Sequence, residues 1–242
     1  MPQSLKNFIK LILHFLHLDL TKNLEYDRLT TKILKTSLKT NSNCIDIGCH
    51  KGEILEIMLK HASSGKHFAF EPLPILNKNL MEKYSDKVEV FPYALSDQNG
   101  TSTFQYVKNA PAYSGLKRRK YDIQHPDIEE IQVEVKRLDE IIPSDSKIHL
   151  IKIDVEGGEL GVIKGGLQLL KNNKPLIIFE CGKGASDYYN TTPEEMYQLI
   201  TENVGLKIST LKAFQRKKNN LTEEEFCHLY STNKEYYFIA HP

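Results

Sequence analysis

The sequence predicts an α/β protein built on a doubly wound, mostly parallel sheet, preceded by N-terminal helices and interrupted by an inserted hairpin. Three observations predict it. Short apolar runs alternate with helical stretches, a glycine-bearing turn follows the first run, and acidic residues recur where the runs end. A chain of 242 residues, 40% hydrophobic and 26% charged, suits one sizeable domain with a short extension. We divide it at residue 40, with a helical extension over 1–40 and the main domain over 41–242.

The extension opens with "SLKNFIKLILHFLHLDL", in which Leu5, Phe8, Ile9, Ile12, Leu13 and Leu16 form one helical apolar face. His14 and His17 interrupt it, and it is too short to span a bilayer. The face is expected to pack on the body of the protein or on a second copy in a homo-oligomer. A helix lying on a membrane surface, with Lys6 and Lys10 on its polar side, is the alternative. A second helix is predicted over residues 24–38.

From there the elements alternate. "NCIDI" reads as a strand, residues 53–61 as a helix, "KHFAF" as a strand, 75–84 as a helix and "KVEVFPYAL" as a third strand. Residues 101–136 break the pattern. "TSTFQYV" and "IQVEV" alternate polar and apolar residues as antiparallel strands do, and between them runs a polar loop with basic residues at 117–120. "KIHLIKID" and "KPLIIFE" are further buried strands around a helix over 159–170. "EEMYQLITEN" is helical, "GLKISTL" and "EYYFIAH" close the sheet, and "KAFQRKKNN" is expected to be an exposed loop.

Bulk properties weigh against several functions. Formal net charge is +1, so no global field draws the chain to nucleic acid, and no N/D-P-P-Y/F run of the base-methylating type occurs. The four cysteines, Cys44, Cys49, Cys181 and Cys227, form no C-x-x-C pair, which speaks against zinc or a disulfide framework. Reduced thiols point to a cytoplasmic protein.

Ligands on such sheets bind beyond the carboxyl ends of the strands. There stand Asp46, Glu71, Asp154 with Glu156, and Glu180. Gly48 and Gly52 allow the main chain to turn sharply beside a helix start and bring N–H groups against a ligand. Glu71, at the next strand end, is placed to accept hydrogen bonds from both hydroxyls of a ribose. His50 occupies the second-glycine position of the dinucleotide fingerprint, which disfavours a pyrophosphate and hence NAD. S-adenosyl-L-methionine is the better expectation.

The runs "CIDIGCHKGE", "FAFEPLP", "ALSDQNGTSTF", "RLDEII", "HLIKIDVEGGELGVIKGG" and "PLIIFEC", in that order and spacing, resemble the FkbM-type S-adenosylmethionine-dependent methyltransferases over about residues 43–181. Most specific is "KIDVEG-E" followed by "V-KG". The family's glycine turn usually reads G-A-N-x-G, whereas Cys49 and His50 fill its middle here.

The resemblance implies a Rossmann-like class I methyltransferase fold. Asp46, Gly48 and Gly52 would line the methionine end of S-adenosyl-L-methionine, with Cys49 and His50 in the same wall. Glu71 and Pro72 would border the ribose, and Ala94, Leu95 and Ser96 the adenine. Asp154 would lie near the reactive methyl group. The implied reaction is O-methylation of a hydroxyl on a sugar or glycosylated small molecule, with Asp154, Glu180 and His50 as catalytic candidates. The alternative is that Asp154 and Glu180, with Glu156, hold Mg²⁺ or another divalent cation that lowers the hydroxyl's pKa. Capping of a helix start is the plainer reading of Glu156 and Glu159. A non-catalytic S-adenosylmethionine-binding module, or methylation of a nucleic acid, stands as the other reading of function. The loop 110–127 could serve as a lid or acceptor-binding loop.

Overall fold

A computed structural model describes residues 21–121 and 123–242. The apolar face at residues 5–16 lies outside the described residues. The fold is a seven-stranded sheet with helices on both faces and a small three-stranded sheet beside it.

Helix α1 (Lys22–Ser37) starts at Thr21, whose hydroxyl accepts the Leu24 N–H. β1 (Cys44–Ile47), β2 (His67–Phe70) and β7 (Leu150–Ile153) are buried at every position. That is why they read as apolar runs rather than alternations. α2 (Glu53–His61) and α3 (Pro74–Tyr84) make the crossovers, α3 with Pro74 in its first turn. β3 (Val88–Phe91) is the outer strand on that side. β8 (Leu176–Glu180) follows α5 (Glu159–Gly165) and α6 (Leu167–Asn173). β9 (Lys207–Thr210) and β10 (Tyr237–His241) complete the sheet, in the order β3-β2-β1-β7-β8-β10-β9. All neighbours are parallel except that β10 runs antiparallel between β8 and β9.

Three expectations need correction. "KVEVFPYAL" is two strands. Pro92, which offers no N–H to a ladder, separates β3 from β4 (Tyr93–Leu95), and β4 joins the small sheet with β5 (Gly100–Val107) and β6 (Ile128–Lys136). The helix expected over 159–170 breaks at Gly166, where a Cβ would fall 2.8 Å from Leu138 Cδ2 of α4 (Leu138–Ile141). "KAFQRKKNN" is not all loop. Its start belongs to α8 (Leu211–Gln215), which follows α7 (Pro193–Gln198) and a π-helical turn, Leu199–Val204. A helix not foreseen, α9 (Glu223–Ser231), begins with a capping box between Thr222 and Glu225.

The sheet order reverses at β1, whose neighbours β2 and β7 lie on opposite sides, so the crevice opens beyond the ends of β1 and β7. Strand pairing then aligns the polar residues. Asp46 is paired with Lys152, and Lys152 with Ile178. One step along the same pleat, the row reads Gly48, Asp154, Glu180 and Tyr237, with Glu180 and Tyr237 in register across β8 and β10. α1 covers this face through Tyr26, Leu29 and Ile33, which pack on Ile178 and Ile239.

Candidate active site

Two cavities meet at the end of β1 and β7. The first, about 590 Å³ including its mouth, lies towards β2 and the small sheet. Its walls are the apolar Phe70, Leu73, Tyr93, Leu95 and Phe104, with Glu71 as a polar anchor. The second is a wider polar basin between α1, the loop after β8 and the start of β10. Gly48, His50, Asp154 and Glu156 line both. This shared wall is where two bound molecules could touch.

The glycine turn is built as the sequence suggests. Gly48 has φ 73°, and a Cβ there would fall 1.8 Å from the Asp154 carbonyl oxygen, so the crossing of β1 and β7 admits no side chain. The Gly48 and Cys49 N–H groups donate to the Phe70 carbonyl at 3.0 and 3.2 Å. The His50 N–H donates to Glu71 Oε2 at 2.8 Å, while Leu73 N–H donates to Oε1 at 3.0 Å. Each Glu71 oxygen thus accepts one main-chain bond and keeps a lone pair for a ligand. Burial nevertheless pushes this carboxyl up to about 7, against the pull of those two N–H groups.

The other foreseen residues divide. Pro72, Ala94 and Leu95 line the first cavity with Glu71. Ser96 does not; it lies against α5, where a Cβ on Gly165 would fall 2.0 Å from its carbonyl oxygen. Gly52 lines neither cavity. It takes φ 80° behind the turn, packed so closely that a Cβ would meet Leu80 and Tyr84 at 2.9 and 3.0 Å. Cys49 packs on Leu55, Ala69 and Leu80 and reaches only the basin. Asp46 lies fully buried at the basin floor, both oxygens without a hydrogen-bond partner, and burial raises it to about 6 despite nearby Lys152. Glu180 lines the basin alone.

Asp154 is the centre of the arrangement. Lys152 Nζ lies 2.6 Å from its Oδ2, and the Tyr237 hydroxyl donates to the same oxygen. Burial pushes the carboxyl up, but Lys152 and Tyr237 outweigh it and hold Asp154 below its ordinary value. Glu180 moves the other way, driven well upward by burial and by the charges of Asp154 and Glu159. Burial lowers His50, and its Nε2 has no partner. Two carboxyls in one row are therefore pushed apart in proton affinity, the pattern of sites that need one ionised and one protonated group.

Lys152 and Tyr237 were not anticipated. Lys152 interrupts the apolar "LIKI", where an unpaired ammonium would be costly, so it signalled a buried partner. Tyr237 is 83 residues from Asp154, and only the strand order joins them. Glu156 also departs from expectation. It does not cap α5 but pairs with Arg119, which lies over the rings of Tyr113 and Tyr121 at 5.2 and 5.7 Å. Glu159 does satisfy main-chain donors at the helix start: its Oε1 accepts the N–H groups of Val155 and Gly157 at 3.0 and 3.2 Å.

The donor set does not fit a divalent cation. Among the described residues no three His, Cys, Asp or Glu side chains gather to hold one. Lys152 already supplies the positive charge that a metal would bring to Asp154. Nor is any described helix long and apolar enough to cross a membrane.

The family model for the methyltransferase FkbM domain matches residues 46–207. The chain is similar to the methyltransferase sdnD of Sordaria araneosa, 29% identical over 53% of this chain and 62% of that protein. It is also similar to the 2-O-methyltransferase NoeI of Sinorhizobium fredii, 28% identical over 64% of this chain and 68% of that protein. It spans about six-tenths of the length of the first curated relatives. Among solved structures, a methyltransferase FkbM from Methylobacillus flagellatus superposes with a TM-score of 0.52 at 15% identity, covering 84% of this chain and 44% of that one. That likeness shows the fold, a Rossmann-like sheet of the class I methyltransferase type.

Proposed function

The chain belongs to the FkbM methyltransferase family, and from that membership we propose that it is an S-adenosyl-L-methionine-dependent O-methyltransferase acting on a hydroxyl of a saccharide or other small molecule. The observation that carries the reading is Asp154, an ionised carboxylate standing where the two cavities share a wall. The cofactor supplies a methyl group on a positively charged sulfur. Everything else falls to this chain's residues.

The residues present fit that cofactor. Phe70, Leu73, Tyr93, Ala94, Leu95 and Phe104 give the first cavity the apolar lining that an adenine ring calls for. Glu71, with Pro72 beside it, keeps a free lone pair on each oxygen for the two ribose hydroxyls. Gly48 and His50 lie towards the methionine end, with Asp46 unpartnered beneath. An ammonium group reaching Asp46 would relieve the cost of a buried carboxyl with no donor.

Asp154 holds the acceptor hydroxyl by a hydrogen bond and takes its proton. A carboxylate of low proton affinity suffices, because an alkylated hydroxyl is strongly acidic and gives up its proton readily. Alignment across the shared wall contributes much of the acceleration. Glu180 and His50 stand behind Asp154 in this reading, Glu180 as a proton-holding neighbour. NoeI, by its name a 2-O-methyltransferase, supports oxygen as the acceptor atom.

The test is calorimetric titration with S-adenosylhomocysteine, alongside NAD and a Glu71→Ala variant. Micromolar binding that the variant loses, with no NAD binding, is expected. Failure of the folded wild-type protein to bind S-adenosylhomocysteine overturns the proposal.

A further inference from the structure

We propose that Lys152 and Tyr237 are positioning residues that together lock Asp154 with one carboxylate oxygen occupied and the other presented to the acceptor. The proposal deepens the methyltransferase reading and rests on it for the identity of the acceptor, but its geometry is independent of that reading.

Both donors address the same atom. Lys152 Nζ and the Tyr237 hydroxyl converge on Oδ2, and Oδ1 accepts no hydrogen bond from any described residue. The Asp154 side chain retains 23% exposure, against 9% for that of Lys152, and it lines both cavities, whereas Lys152 lines the basin and not the first cavity. A carboxylate held from two directions on one oxygen cannot rotate to exchange the two. The acceptor's O–H bond then breaks towards a single, fixed oxygen: the proton passes to Oδ1 and the electron pair stays on the acceptor oxygen.

Tyr237 is itself fixed from outside the family-matched region. Its ring packs on Tyr26 of α1 with centroids 5.1 Å apart. The Tyr26 hydroxyl donates to Glu235 Oε2 at 2.5 Å and accepts the Tyr236 N–H at 3.3 Å, tying α1 to the chain entering β10. The family match covers 46–207, yet residues 26 and 237, outside it, complete the support of Asp154 within it. α1 is thus part of the site rather than an appendage to it.

The ionisable groups facing Asp154 are Asp46 from β1, Lys152 from β7, Glu180 from β8 and Tyr237 from β10, with His50 from the glycine turn, Arg119 from the loop and Glu159 from α5. Among the described residues only Lys152 and Tyr237 hydrogen-bond to its carboxylate. Removing either should therefore act on Asp154 directly, whereas a change at Glu159 acts only through charge.

The experiment is a pH titration of protein carrying ¹³Cγ-labelled aspartate, followed by NMR, with the Asp154 signal assigned by its loss in Asp154→Asn. Tyr237→Phe and Lys152→Met are each expected to raise the Asp154 midpoint by about one pH unit or more. Lys152→Arg, which restores a charged donor, is expected to return it towards the wild-type value. An unchanged midpoint in Tyr237→Phe, with the fold intact by amide fingerprint, overturns the role of Tyr237. If that variant fails to fold, an unmoved midpoint in Lys152→Met overturns the shared lock. S-adenosylhomocysteine binding is measured on the same samples. Midpoint shifts in the variants, together with wild-type protein that binds no S-adenosylhomocysteine, sink the methyltransferase reading and leave the lock standing.

Discussion

The main-chain N–H of His50 donates to Glu71 Oε2 at 2.8 Å, so the turn after β1 and the carboxylate after β2 hold one another in place. Whatever binds Glu71 is bound by a group whose charge depends on pH. Glu71 ionises only near 7 in the free protein because it is buried. Ribose hydroxyls donate to its ionised form. S-adenosylhomocysteine affinity should therefore rise by about tenfold as pH increases from about 6 to 8, where Glu71 passes from mostly protonated to mostly ionised in the free protein. In Glu71→Gln the affinity should be lower and nearly flat over that range. Calorimetry at four or five pH values checks both statements.

The same group sets a stability trend in the unliganded protein. Its folded pKa lies above its unfolded 4.5, so the folded state binds a proton that the unfolded state has released. Stability from Glu71 is full below pH 4.5 and is lost as pH rises through about 7. The shift from 4.5 to about 7 corresponds to roughly 3 kcal/mol. Glu71→Gln, which cannot ionise, should gain on wild type in urea midpoint between pH 5 and 8. A difference that stays constant with pH counts against it.

Some of this arrangement can be read without coordinates and some cannot. Asp46, Glu71, Asp154 and Glu180 stand at the ends of apolar runs, and a parallel sheet carries strand ends to one edge, so local pattern was enough. Tyr237 differs in kind. Its place beside Asp154 depends on β10 inserting antiparallel next to β8, a pairing that no periodicity encodes. Lys152 could have been found, because an ammonium in a fully buried strand requires a counter-charge within reach. Pro92 likewise announced the break in the third strand, and Thr222 with Glu225 the start of α9. Arg119 sits in an exposed-looking run with Lys117, Arg118 and Lys120, and only the fold distinguishes the one that turns inward.

Lys152 should matter to stability as well as to the site. Its side chain is 9% exposed and its partner is Asp154. Truncation leaves a carboxylate without its counter-charge, a change that costs about 3–5 kcal/mol in buried pairs. Lys152→Ala should lower the unfolding free energy by that order. The double variant Lys152→Met/Asp154→Leu should recover much of the loss, because it removes both charges. Urea denaturation of the two variants against wild type decides it, and equal destabilisation in both would contradict the pairing.

Gly48 permits neither of the usual compromises. Its φ is 73°, which a Cβ disfavours, and that Cβ would fall 1.8 Å from the Asp154 carbonyl oxygen. Strain and overlap add, so Gly48→Ala should cost more than about 3 kcal/mol and displace β1 from β7. Gly184, with φ 93° but nothing within 4 Å, carries only the strain. Gly184→Ala should be the milder change by at least about 1 kcal/mol. Thermal unfolding of both variants gives the order.

The loop over residues 111–116 roofs the first cavity through Pro111, Ala112, Ser114 and Leu116. It is fastened along its length. Ser114 Oγ accepts the Val107 N–H at 3.0 Å, Gly115 bridges to Gln105, and the Lys117 N–H donates to the Tyr189 hydroxyl at 3.1 Å. Past the roof, Arg119, which lies over the rings of Tyr113 and Tyr121, pairs with Glu156. This last fastening joins the roof to the loop that carries Asp154. Arg119→Ala should leave the sheet intact but free the segment, so cleavage by trypsin after Lys117, Arg118 or Lys120 should quicken by about tenfold. S-adenosylhomocysteine fills the cavity beneath and should slow that cleavage in wild type more than in the variant. Glu156→Gln should reproduce the effect in weaker form, since it keeps an acceptor but loses the charge. Cleavage at the same rate in all three proteins would mean that the Arg119–Glu156 pair does not hold the roof, and that the Ser114, Gly115 and Lys117 fastenings suffice.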